Sequence, residues 1–263
     1  MPAYPLSRQT LLDTLHMTLE PLPYVYAAWQ GGAAAFGRAD EYSDIDLHII
    51  AGDERVEDVF EIIEAALKTH SPISLNYRVP EPAWHGMSQT FYILEHAGPY
   101  LMLDVAIAKY NSTGPRFWEK EIHGNGVVMI NKNNTFAPQP LDPAAHLEKM
   151  KTAVADLTAR FAILQPLVEK ELLRRQPMDA FHFYIGLTLR PLIQMLRTHH
   201  VPWHHDWGGR YLYRELPAEI TARLEPLHFI RDAAELKTKH AEAVVWFNEL
   251  AESLDWDIIN SRL

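Results

Sequence analysis

Two aspartates one residue apart, Asp44 and Asp46, open an apolar run in the stretch GGAAAFGRADEYSDIDLHII. In a β-strand alternate side chains share a face, so both carboxylates would stand side by side while Ile45 and Leu47 enter a core. Like charges held that close repel, and a cation between them relieves the repulsion. A divalent metal ion is the expected cation. Ahead of the pair, residues 31–43 are rich in glycine and alanine. Small residues after a strand let the backbone turn into a short helix, whose free N–H groups can hold phosphate oxygens. Cradle and metal would then address one nucleoside triphosphate.

A third carboxylate is expected on a later strand, beside the first two. Asp104 is the only acid in YLMLDVAIA, and a lone aspartate among apolar residues is expensive to bury without a charged partner or a metal. Glu95 is the rival, but it falls at the end of the preceding strand, nearer solvent.

These residues resemble the polymerase-β-like nucleotidyltransferases, in particular the small two-domain enzymes that adenylylate antibiotics. In this sequence Gly32 takes the first glycine place of that signature, Gly37 the second, Ser43 the serine, and Asp44 and Asp46 the acidic pair. Ala33 stands where the family usually has a serine that touches phosphate. The resemblance implies a metal-dependent nucleotidyltransferase with two Mg²⁺ ions held by Asp44, Asp46 and Asp104 and ATP as co-substrate. It also implies nucleotide contacts from Gly32, Ala33, Gly37 and Ser43. The acceptor would be a hydroxyl of a small molecule, and the acidic chain favours a cationic one such as an aminoglycoside, which would make the protein an antibiotic-resistance enzyme. In the C-terminal half the resemblance assigns Arg190 and Arg210 to the nucleotide phosphates and Asp179 to the substrate. For these three an ordinary surface or interdomain ion pair is the competing reading. A second function stays beside the first: a nucleotide-binding regulator or antitoxin-like protein of the same fold, without transfer, for which Ala33 is the supporting residue.

Positioning these groups requires strands at residues 24–29, 44–50, 73–79, 90–95, 100–108 and 126–130, with helices over the first 20 residues and at 56–68. Ala97, Gly98 and Pro99 read as a tight hairpin connection. The proline-rich segment TFAPQPLDP marks a linker. Beyond it come long helical patterns at 143–175, 178–200, about 217–230 and 232–253. The expected architecture is α+β: a nucleotidyltransferase domain over residues 1–140, a mixed sheet with helices, followed by an all-helical domain over residues 141–263. In the helix starting near Met178, a stripe of Phe181, Ile185, Leu189, Leu192 and Leu196 is expected in the core, with Arg190 set in apolar surroundings and Pro191 kinking the helix. The cluster His199, His200, His204, His205 and Asp206 falls in a loop and reads as lining a cleft or covering helix ends rather than as a zinc site.

Composition fits this reading. The chain has 263 residues, 48% of them hydrophobic, which is enough for a substantial core. A formal net charge of −10 weighs against nucleic acid as a partner. There are no cysteines, so thiolate metal sites are excluded. No apolar run of about 18 residues appears, and MPAYPLSRQT lacks the layout of a secretory signal. A cytoplasmic monomer or homodimer is expected.

Overall fold

The computed structural model describes residues 6–112 and 118–263; the first half of the MPAYPLSRQT segment therefore lies outside the described residues. The chain divides into two compact units, Met1–Leu141 and Asp142–Leu263.

The first unit is built on one mixed sheet. Its elements run α1 (Arg8–Leu19), β1 (Val25–Gln30), α2 (Gly32–Ala35), β2 (Ile45–Ala51), α3 (Val56–Lys68), β3 (Ile73–Arg78), β4 (Ser88–Leu94), β5 (Leu103–Lys109), α4 (Lys120–His123) and β6 (Val127–Asn131). The strand order is β3-β4-β5-β2-β1-β6. β2 and β5 pair in parallel and the remaining neighbours pair antiparallel. All six strands lie within a few residues of the expected ones.

Side-chain alternation divides the sheet into two environments. From β2, Ile45, Leu47 and Ile49 are fully buried in a core shared with α1 and α3. Leu11, Leu12, Leu15 and Leu19 of α1 and Val56, Val59, Phe60, Ile63 and Leu67 of α3 supply the helical side. Each such side chain contributes roughly 2 kcal/mol by leaving water. Ser7 caps α1, accepting from the Thr10 N–H at 3.1 Å. The residues that alternate with these on β1, Ala27 and Trp29, join a separate cluster with Trp118 and Phe136. Asp46 and His48 alternate in the same way on β2. The β4–β5 connection is longer than a tight hairpin, because Ala97 instead bridges to Leu6 and is buried.

The second unit is helical throughout its described elements: α5 (Pro143–Leu164), α6 (Pro166–Leu173), α7 (Pro177–Phe183), α8 (Arg190–His200), α9 (Leu212–Glu215), α10 (Ala218–Leu224), α11 (Ala233–Glu252) and α12 (Trp256–Asn260). Asp142 caps α5 through bonds from Ala144 N and Ala145 N, and Asp232 caps α11. The pattern over 143–175 is two helices, not one. Pro166 provides no N–H for a continuing helix and starts α6.

The expected single helix from Met178 is also interrupted, by a π-helical stretch at Tyr184–Leu189. The extra residue per turn shifts the apolar face. Leu189, Leu192 and Leu196 are buried as expected, but Phe181 is 36% exposed. Arg190, expected among apolar side chains, is exposed for the same reason. The buried arginine of this helix is Arg197, with no solvent exposure at all.

Candidate functional site

The parallel register of β2 and β5 places Asp46 directly beside Asp104. Asp44 stands two residues before Asp46, just ahead of β2, and so on the same face. Asp46 and Asp104 are thus neighbours across two strands, and the Asp44 charge acts on Asp104. Glu95 lies past the end of β4, in an exposed turn, away from them.

Gly32 makes room for this arrangement. Its φ is +49°, and a Cβ added there would meet Asp46 Oδ2 at 1.7 Å. The carboxylate lies against the turn backbone where any side chain would stand. Gly31 N–H donates to the Asp46 carbonyl at 2.8 Å, tying the turn to β2. The four residues of α2 follow, with Ala33 in its first turn. Gly37 also has a positive φ, +64°, but open space at its Cβ. Ser43 is occupied in a turn: its hydroxyl donates to Asp40 Oδ1 at 2.9 Å and accepts from the Asp40 N–H at 2.9 Å.

Two polar groups that sequence reasoning missed face the acids. The first is Arg8 on α1. Its guanidinium donates to the Asp44 carbonyl and, at 2.8 Å, to Gln30 Oε1. Burial lowers its pKa, and the nearby Asp46 and Asp44 carboxylates oppose that shift. Arginine remains charged under these conditions, so a cation already stands near the pair. The second is Gln89 on β4, whose amide nitrogen donates to both oxygens of Asp104, at 2.7 and 2.9 Å. The Gln89 oxygen faces His85 Nε2 at 3.0 Å, while His85 Nδ1 accepts from the Met87 N–H at 3.1 Å. That second bond places the imidazole proton on Nε2, so His85 donates to the Gln89 oxygen and turns the amide nitrogen toward Asp104. Burial pushes the Asp104 carboxyl up, Gln89 opposes the shift, and the Asp44 charge adds to it.

The donor set is chemically suited to a hard divalent ion, since Mg²⁺ takes carboxylate oxygens. Among the described residues, however, no three His, Cys, Asp or Glu side chains are gathered as a metal-holding group. Gln89 covers the Asp104 oxygens, and an N–H donor and a metal compete for the same lone pairs. A metal at Asp104 therefore requires the Gln89 side chain to yield.

His48 continues the face beyond Asp46. Its ring stacks on Trp29 with centroids 5.4 Å apart and meets Trp118 edge-on at 5.4 Å. Burial lowers its pKa to about 4, helped by the positive charge that His123 and His85 carry when protonated. The ring is neutral at pH 7. As pH falls through about 6.5 the unfolded chain takes up a proton that the native chain refuses until about 4, so native stability falls across this window. The full shift corresponds to about 3 kcal/mol. Guanidinium unfolding midpoints measured from pH 7 to pH 4 are expected to drop accordingly in the wild type. The drop should shrink in His48→Phe, and an equal drop in both would contradict the assignment.

Arg190, Arg210 and Asp179 belong to the helical unit. Arg190 and Arg210 line one cavity of that unit, and Asp179, exposed in the first turn of α7, is not among its lining residues. Two histidines of the 199–206 cluster have individual partners: His199 Nε2 meets the Leu250 carbonyl at 2.9 Å, and His204 Nδ1 meets Glu215 Oε1 at 3.0 Å.

No family model matches the chain, and no curated protein matches it. Among solved structures, an aminoglycoside 6-adenyltransferase from Bacillus subtilis is similar to 98% of this chain over 96% of its own. The two are 12% identical, with a TM-score of 0.31. A likeness of that size carries no argument about this chain, whose fold and site rest on its own residues. No helix of the described residues is long and apolar enough to cross a membrane.

Proposed function

We propose that the chain is a nucleotidyltransferase that moves a nucleoside monophosphate, AMP from ATP, onto a hydroxyl of a small molecule. The observation that carries this reading is the register of β2 and β5, which sets Asp104 beside Asp46, with Asp44 two residues before it. The Gly31–Gly32 turn lies against the same carboxylate. The Asp46 carboxylate packed against a turn without side chains is a place where a divalent ion could join carboxylate to phosphate oxygens.

In this reading Asp44, Asp46 and Asp104 would hold Mg²⁺, which supplies charge neutralisation at the phosphates. The remaining work falls to the chain. The Gly31–Gly32 turn and the leading N–H groups of α2, which a helix start leaves without intrahelical partners, receive phosphate oxygens. Asp104 takes the proton of the acceptor hydroxyl as its oxygen bonds to the α-phosphorus and pyrophosphate leaves. Until an ion is bound, Gln89 bonds both Asp104 oxygens and holds that carboxylate's orientation; it would yield when Asp104 takes the metal. Arg8 offsets the charge of the aspartate pair when no ion is bound.

The test is transfer of label from α-phosphate-labelled ATP to a panel of small hydroxyl acceptors in the presence of Mg²⁺. A labelled acceptor that appears only with Mg²⁺ is the expected result. If ATP binds and no acceptor is labelled, the binding-only regulator, which Ala33 favours, becomes the better reading.

A further inference from the structure

Strand order sets the direction in which an acceptor extends from Asp104. In the sheet β3-β4-β5-β2-β1-β6 the Gly31–Gly32 turn follows β1, across β2 from β5. With phosphates on that side, a hydroxyl compound at Asp104 has β4 and then β3 as its floor. Two strand spacings make this floor about 10 Å wide.

The register identifies the side chains on it. Phe91 of β4 stands opposite Asp104 of β5, and residues directly opposite in an antiparallel pair share a face. Gln89, which bonds both Asp104 oxygens, belongs to the same row of β4. Tyr77 and Leu75 of β3 stand in turn opposite Phe91 and Ile93. These four apolar side chains form one shelf that begins beside Asp104 and ends at the edge of the sheet. The Tyr77 and Phe91 rings are nearly parallel, 20° apart, with centroids separated by 6.4 Å.

The shelf is open to solvent. Leu75, Tyr77 and Ile93 are 59%, 56% and 40% exposed, whereas Tyr92 and Leu94, which alternate with Phe91 and Ile93, are buried in the core shared with α3. An antiparallel strand with one face in the core ordinarily turns polar side chains to water on the other. Adjacent apolar side chains in those places mark a binding surface. Asp104 is the only charged residue that β3, β4 and β5 place on this face. A polycationic acceptor would find one carboxylate there, already bonded to Gln89. A flat apolar ring would find two nearly parallel aromatic rings flanked by aliphatic side chains. A carboxylate offers about four acceptor positions, so Asp104 can still receive a hydroxyl beside Gln89.

We propose, on the basis of the transfer reading, that the acceptor is an uncharged hydroxyl compound with a flat apolar ring system that lies on Leu75, Tyr77, Phe91 and Ile93 and presents its hydroxyl to Asp104. The width of the shelf matches fused rings bearing a short hydroxyl arm. The aminoglycoside expected from the acidity of the whole chain does not suit this face.

The probe is 2-naphthylmethanol, titrated into the full chain with neither ATP nor Mg²⁺ and followed by saturation-transfer NMR. Saturable binding is expected. Tyr77→Ser and Ile93→Ser should each weaken it at least fivefold, Tyr77→Phe should bind as the wild type does, and Leu173→Ser, at an exposed leucine of α6, should leave binding unchanged. The methyl ether of the probe, which cannot donate a hydrogen bond, should bind more weakly to the wild type, and Asp104→Ala should erase that difference. Since neither nucleotide nor metal takes part, a chain that transfers no label from ATP can still pass this test, and failure here leaves the labelled-ATP experiment to stand by itself. No saturable binding, binding insensitive to the shelf variants, or equal affinity of the wild type for alcohol and ether would overturn the proposal. So would a dimer in sedimentation velocity that Tyr77→Ser separates, because a second copy would then cover the shelf.

Discussion

Asp104→Asn removes nucleotidyl transfer and leaves the fold intact: that is the largest effect expected on activity. The substitution keeps the shape of the side chain, so Gln89 can still bond its remaining oxygen, while the negative charge and the proton-accepting capacity are lost. Because that capacity matters in the transition state rather than in the ground state, the loss should appear in kcat more than in ATP affinity. General-base contributions of about 10²–10⁴-fold set the scale. Single-turnover transfer rates and ATP affinities measured side by side check it. An unchanged rate would show that another group takes the proton.

A large effect on stability is expected of Gly32→Ala. Its Cβ would lie 1.7 Å from Asp46 Oδ2 and 2.6 Å from Cγ, and its φ of +49° disfavours an L side chain. Backbone strain of about 1–2 kcal/mol adds to overpacking of about 1–3 kcal/mol. Gly37→Ala is the internal control, since φ there is +64° but nothing stands within 4 Å of the new Cβ. It should cost only the backbone part, about 1 kcal/mol. Denaturant midpoints of the two variants give the comparison, and equal losses would show that Asp46 is free to move aside.

Much of the carboxylate site is legible in the sequence because it depends on short-range periodicity. Asp44 and Asp46 alternate with Ile45 and Leu47, and the period of a strand alone puts them on one face. Asp104 stands out as a single acid in an apolar strand. The groups that face these acids are not legible in the same way. Arg8 reaches Asp44 across 36 residues and Gln89 reaches Asp104 across 15, so only strand order and helix placement reveal them. Gln89 had a weak signal, a polar residue at the start of a strand neighbouring that of Asp104.

The helical unit is less legible for two different physical reasons. At Pro166 the signal for a break is present, in the missing N–H. At Tyr184–Leu189 Pro191 signals a kink in the same way, since its missing N–H frees the Leu187 carbonyl, but the π-helical form of the turn depends on tertiary partners such as Gln165 that satisfy that carbonyl. That turn moved Arg190 from an expected apolar setting to an exposed cavity wall. Arg197 was missed altogether, since its partners, the carbonyls of Gly208 and Arg210 and the carboxylate of Glu215, come from a later loop and helix.

The central claim is that Asp44, Asp46 and the Gly31–Gly32 turn form a metal-dependent nucleotide site, and calorimetric titration of ATP with and without Mg²⁺ tests it most directly. In the wild type, Mg²⁺ should tighten ATP binding at least tenfold, and Asp44→Asn with Asp46→Asn should abolish that gain while leaving the unfolding midpoint within about 1 kcal/mol of wild type. A double variant that responds to Mg²⁺ as the wild type does would contradict the account.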